Sequence, residues 1–184
     1  QKVKEAFDKA DKIIKLDITN NRLVPNAMEP RAWVVDYNTA SEEITCYTTS
    51  QNPHLSRLIM SAFGWVAPEH KLRVVAPDVG GGFGYKGILL AEEVFAGWLA
   101  MKTGRPVRWL EDRREHLTSG ANCREHHYEV TGYAGSDGQL LAVSCEAIVD
   151  SGAYSIYPFS ACLEAAQVAS ILPGPYKMLG YKCK

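Results

Sequence analysis

Four of the five residues from Gly80 to Gly84 are glycine, and the only side chain in that run belongs to Phe83. Glycine gains little from helix or strand and loses the most backbone freedom on folding, so such a run is a loop held by its surroundings. It exposes backbone N–H groups and lets the main chain approach a ligand that a Cβ would obstruct. Leu72 to Ala76 reads as a short buried strand ahead of the loop. Ile88 to Lys102, apolar on most sides and closed by Gly104, reads as a core helix behind it. The N-terminus of that helix is expected to lend partial positive charge to the loop donors, an environment suited to an anionic or oxo-bearing ligand.

The rest of the chain is a mixture of hairpin strands and a few helices. Val3 to Ala10 suits a short helix. Lys12 to Thr19 alternates apolar Ile14, Leu16 and Ile18 with polar residues, the pattern of a half-buried strand. After a connection over Asn20 to Pro30, Arg31 to Tyr37 and Glu43 to Thr49 read as strands around a polar turn. Asn52 and Pro53 then open a helix whose Leu55, Leu58, Ile59, Ala62 and Phe63 share one face, and Gly64 ends it. Pro106 to Leu110 is a further strand, and the charged segment Glu111 to Leu117 suits a turn or two of helix. His126 to Ala134 and Leu140 to Val149 are long strands joined by Ser136-Asp137-Gly138, a hairpin signal. A helix is expected near Cys162 to Ser170. Hairpins beside packed helices favour an α+β fold with a mixed sheet over a regular α/β alternation.

Charge and cysteine content exclude several functions. Twenty Lys and Arg balance 21 Asp and Glu over 184 residues, which leaves no surplus to hold phosphate backbones or anionic lipid. The longest apolar stretch, Ile88 to Met101, carries Glu92 and Glu93 and is too short to span a bilayer. Cys46, Cys123, Cys145, Cys162 and Cys183 form no CxxC pair, so zinc and iron–sulfur ligation lack their usual spacing. Five scattered cysteines fit a reducing compartment, with cytoplasm as the expectation. The opening Gln-Lys-Val-Lys-Glu has neither an initiator Met nor a signal pattern and reads as a piece of something longer.

Residue by residue, the glycine loop admits more than one use. Gly82-Phe83-Gly84-Tyr85-Lys86-Gly87 satisfies GxGxxG, and Glu111-Asp112 stands at the end of a later strand, as a dinucleotide fingerprint would ask. Against this, Pro77, Asp78, Val79 and two more glycines separate strand from fingerprint, and no alternating βα units follow. The loop is also compatible with a tight turn that only lets a helix pack on a sheet, or with a noncatalytic interaction module.

Five ordered segments carry a more specific signal. They are Asn20 to Arg31, with Met28-Glu29-Pro30; Thr49-Ser50-Gln51-Asn52-Pro53-His54; Val79 to Lys86; Gly104-Arg105-Pro106-Val107-Arg108-Trp109; and Asp150-Ser151-Gly152-Ala153-Tyr154. In order and spacing they resemble the molybdopterin-binding large subunit of the xanthine dehydrogenase and aldehyde oxidase family, in a flavour similar to bacterial carbon monoxide dehydrogenase. The resemblance runs over essentially the whole chain, residues 1–184, as a partial molybdopterin-binding domain of a longer subunit.

The resemblance implies an oxidoreductase whose cofactor is molybdopterin, the cytosine dinucleotide form being one version. Electrons would pass to iron–sulfur clusters and FAD on partner subunits. It implies that Gln51 offers its side-chain amide to a molybdenum oxo ligand, and that Gly82, Phe83 and Gly84 bring backbone toward the same group. These are hydrogen bonds, without direct metal ligation. Such roles suit the residue types, because an amide is a donor that does not titrate.

The resemblance also implies that the substrate loop and general base lie beyond Lys184, so that no catalytic residue falls in these residues and the piece alone is inactive. Gly87 stands where purine-oxidising members carry a glutamate, which disfavours purines. Glu29 is read as a structural or an interface residue without a catalytic role. Asp112 to Glu115 suit a solvated helix as well as a family segment. Adjacent His126 and His127 point to opposite faces of one strand and cannot share a metal.

Overall fold

The computed structural model describes residues 1–154 and 161–184, with the side chains of Ala161 and Cys162 left out. Its helices are α1 (Lys2–Lys9), α2 (Pro53–Ala62), α3 (Ala91–Thr103), α4 (Arg113–Ser119) and α5 (Ala161–Ile171). Its strands are β1 (Lys12–Asn20), β2 (Ala32–Asn38), β3 (Glu43–Thr48), β4 (Leu72–Val75), β5 (Val107–Leu110), β6 (Glu125–Ala134), β7 (Leu140–Asp150) and β8 (Gly180–Cys183). The expected α+β class with mixed sheets is what the chain forms. It divides into two compact units: Val24–Asn122 is one, and Gln1–Leu23 with Cys123–Lys184 is the other.

The contiguous unit, 24–122, is built on a sheet of order β4-β3-β2-β5. β3 runs antiparallel to β2 and parallel to β4, while β5 pairs antiparallel with β2. Alternate residues of the central strands, Trp33, Val35, Ile44 and Cys46, share one face. They pack against Met60 of α2 and Ala96 and Ala100 of α3 to make the core. Burying side chains of this kind stabilises by about 1.5–3 kcal/mol each. Pro53 occupies the first turn of α2, as its fixed φ favours, and Gly104 closes α3 in the left-handed conformation.

α3 departs from the expected core helix in two ways. It starts at Ala91, after a 3₁₀ turn over Tyr85–Gly87, and its N-terminus is capped from within by Glu93, which accepts the Leu90 N–H at 2.8 Å. The helix start is thus separated from the glycine loop by the 3₁₀ turn and by Ile88-Leu89-Leu90. One side only is buried, since Phe95 and Trp98 stay exposed and stack on each other at 6.2 Å.

The discontinuous unit carries a sheet of order β1-β6-β7-β8, antiparallel except for the β7–β8 pair. Gly138 at φ 81 turns the β6–β7 hairpin where the Ser-Asp-Gly signal predicts it. α1 packs on β7 and β8, and α5 is tied to the sheet by the Tyr181 hydroxyl, which donates to the Ala169 carbonyl at 2.7 Å. β1 is exposed at all nine positions, not half-buried. It is an edge strand, and Ile14, Leu16 and Ile18 are 57%, 55% and 43% exposed. The β8 strand was not foreshadowed by any apolar alternation in its four residues.

Candidate functional site: a clamped glycine loop

The loop is shaped by its own backbone. Phe83 and Gly84 both have positive φ, 52 and 84, and Tyr85 N–H donates to Gly82 C=O at 2.9 Å, which makes a type I′ turn. Glycine takes this conformation without penalty, but Phe83 does not, so the surroundings must hold it there. The 3₁₀ turn follows directly. The GxGxxG residues thus form two successive tight turns, with no strand-to-helix elbow to seat a pyrophosphate on a helix end.

Gln51 sits against that turn. Gly84 N–H donates to Gln51 Oε1 at 3.0 Å, and a Cβ built on Gly82 would lie 2.3 Å from the same oxygen. Only glycine leaves room for the glutamine there. With its carbonyl end engaged, Gln51 has its amide nitrogen left over. The N–H groups of Gly82 and Phe83 likewise have no hydrogen-bond partner among the described residues. The sequence-predicted residues Gln51, Gly82, Phe83 and Gly84 are therefore brought together, with unpaired donors on three of them. Phe83 itself projects its ring outward, mostly exposed.

Every carbonyl just downstream of the loop is occupied. Tyr85 C=O accepts from Arg31 Nη2, and Ile88 C=O from the same nitrogen at 3.0 Å. Lys86 C=O accepts from Gln51 N–H at 2.9 Å, and Gly87 C=O from Asn52 Nδ2 at 3.1 Å. Arg31 is almost fully buried, pairs with buried Glu93 at 2.7 Å and lies 4.5 Å over the Tyr85 ring. Burial pushes the Glu93 carboxyl up from its ordinary range, against the pull of Arg31.

A second cluster joins Tyr85 to the end of β5. Glu111 accepts from the Tyr85 hydroxyl and from Arg31 N–H at 3.1 Å, and His116 Nδ1 lies 3.0 Å from it. Burial alone would raise the Glu111 carboxyl, but those hydrogen bonds outweigh it and leave it below its ordinary value. Burial, and then the Glu111 carboxylate, push the Tyr85 phenol well up, so it stays a neutral donor.

Upstream of the loop, Glu29 accepts from Gly80 N–H at 2.7 Å and pairs at 2.6 Å with Lys86, which is fully buried. The hydrogen bond from Lys86 lowers the Glu29 carboxyl, burial opposing it. Glu29 thus ties the loop backbone to Lys86. Asp112 caps α4 in a reciprocal box with Glu115, and Arg113 donates to the carbonyls of Ala27 and Met28 at 2.7 and 2.9 Å. This segment is more than a solvated helix, because it ties the 26–28 loop.

Sequence reasoning missed Arg31, Glu93, Glu111 and His116 as a set. The one available signal was the opposite charges of Arg31 and Glu111 at the ends of two strands, which pair in the sheet. His126 is buried and His127 exposed, as strand alternation required. Among the described residues no group of three or more His, Cys, Asp or Glu could hold a metal ion, and no helix is long and apolar enough to cross a membrane.

The sequence model of the molybdopterin cofactor-binding domain matches residues 1–184. The large subunit of nicotine 6-hydroxylase from Paenarthrobacter nicotinovorans is 31% identical over 93% of this chain and 21% of its own length. The large chain of carbon monoxide dehydrogenase from Afipia carboxidovorans is 34% identical over 94% of this chain and 21% of its own. The crystal structure of quinoline 2-oxidoreductase from Pseudomonas putida 86 superposes with a TM-score of 0.84 at 30% identity, over 97% of this chain and 23% of that one. The chain spans about a fifth of the length of these relatives. With a matched model over its whole length and a loop that presents unpaired donors, the chain belongs to the molybdopterin cofactor-binding domain family.

Proposed function

We propose that these residues form one wall of the molybdopterin pocket in the large subunit of a molybdenum hydroxylase, with Gln51 and the Gly82–Gly84 turn as the contact surface. The observation that carries this reading is the docking of Gln51 Oε1 on Gly84 N–H, which fixes the side-chain carbonyl and leaves the amide NH₂ free to donate. The pocket residues suit an oxo-bearing group: their donors are neutral, and a Cβ at Gly82 would displace the glutamine.

When bound, the molybdenum–pterin group supplies two-electron oxidation of a substrate carbon, a chemistry no side chain provides. The chain's own residues bind and orient. Gln51 and the N–H groups of Gly82 and Phe83 are donors held ready in place, so little reorganisation opposes ligand binding. Arg31, Asn52 and Glu29 fix the turn from below. In this reading the electrons leave to iron–sulfur and flavin partner subunits. Gly87, buried and with its carbonyl on Asn52, offers no carboxylate to a purine.

The test is Gln51→Glu in the complete polypeptide that carries these residues. The glutamate keeps an acceptor for Gly84 N–H but loses the amide donor. Losing one hydrogen bond to a charged group, about 1.5 kcal/mol, corresponds to roughly tenfold weaker cofactor retention. Molybdenum and pterin content should fall while the melting temperature holds. Wild-type metal and pterin content would remove Gln51 from the pocket.

A further inference from the structure

Cys145 and Cys183 are directly opposite each other in the parallel β7–β8 pair. The ladder around them is closed by Lys184, whose N–H donates to Cys145 C=O at 3.0 Å and whose C=O accepts from Ala147 N–H at 2.9 Å. Register partners on neighbouring strands project to the same face, and strands lie about 4.7–4.9 Å apart, inside the ~4.4–6.8 Å Cα separation that a disulfide spans. Both thiols are free. Cys145 is nearly buried, whereas Cys183 is partly open to solvent. Among the described residues no other pair of cysteines shares a register: Cys46 is sealed in the core of the other unit, and Cys123 lies outside any strand.

We propose that Cys145 and Cys183 are a dithiol modification site, oxidised by a small disulfide such as oxidised glutathione to a cross-strand disulfide that staples β8 to β7. Cys183, the more open thiol, loses its proton and attacks one sulfur of the oxidant, which forms a mixed disulfide and releases one thiol. Cys145 then loses its proton and attacks the Cys183 sulfur, which releases the second thiol. Two cysteine sulfurs give up two electrons in all, the oxidant's disulfide accepts them, and both protons end on the departing thiols. Burial, and the neighbouring Cys183, push the Cys145 thiol up to about 11. The second step is therefore the slow one, and mixed disulfide builds up first.

β8 is only four residues long and is held by its pairing with β7, by α1 packed on it and by the Tyr181 hydroxyl on α5. A covalent link there removes freedom from the unfolded chain and leaves the native strands where they are.

The experiment treats the complete polypeptide that carries these residues with excess oxidised glutathione at mildly alkaline pH, then alkylates, digests and weighs the peptides. The expected result is a peptide joining Cys145 to Cys183, with a higher melting temperature that a dithiol reductant reverses. Cys145→Ser should leave Cys183 carrying a single glutathionyl group, and Cys183→Ser should leave Cys145 unmodified. If either variant fails to fold, the wild-type peptide map and melting shift still decide. Stable glutathionylation of wild-type Cys183 without a link, a link to any other cysteine, or no reaction at either thiol overturns the proposal.

Discussion

Single atoms decide the shape of the loop. Gly82→Ala would drive a methyl into the Gln51 amide, and because that amide is the far end of a flexible side chain the glutamine would swing away while the fold survives. The expected outcome is an unchanged melting temperature with roughly tenfold lower molybdenum retention in the complete polypeptide, read by metal analysis. Glu29 acts at the same scale through charge. Its folded carboxyl lies below the unfolded value, so its contribution to stability is present above about pH 4.3 and is lost as pH falls through the folded value. Urea midpoints for wild type and Glu29→Gln should differ near neutrality and converge in acid. A gap that stays constant with pH would mean that the Glu29–Lys86 charge pair contributes nothing.

Elements were legible where their signals are local. The Asn-Pro start and apolar face of α2 lie within a dozen residues, and Ser136-Asp137-Gly138 sits between two alternating strands, so both were readable and both formed. The parallel β3–β4 pairing, the short β8 and the bare β1 were not, because each depends on partners far along the chain. Alternation in β1 announces a strand, but whether its apolar side is covered is a tertiary fact. The same holds for the candidate site. Gln51 and the glycines could be named from a resemblance, whereas the ring of donors on the Tyr85–Ile88 carbonyls comes from two segments distant from them in the chain, Arg31 and the Gln51-Asn52 pair. Arg31 joins these elements. Arg31→Met would strand buried Glu93 and free two carbonyls, with an expected loss of about 3–5 kcal/mol in urea unfolding. Arg31→Met combined with Glu93→Gln should recover part of that loss, since the glutamine still accepts the Leu90 N–H while carrying no buried charge.

At the scale of the molecule, all four predicted contact residues and every side chain that braces them lie within residues 24–122. That unit has its own sheet and core, so residues 24–122 produced alone should unfold cooperatively, and Arg31→Met should cost them as much as it costs the full chain. A noncooperative melt of 24–122 would show that the unit needs the rest of the chain to hold its core.

The chain leaves the discontinuous unit after Leu23 and re-enters it at Cys123, and these two ends are joined by a backbone hydrogen bond, Cys123 N–H donating to Leu23 C=O at 2.8 Å. The segment between them leaves and rejoins its host at a single doorway, the arrangement by which one gene can gain, lose or exchange a module without re-threading the rest. The clamped loop is in this sense a cassette: evolution could retune the pocket wall through 99 contiguous residues, 24 to 122, while the strands on either side kept their pairing.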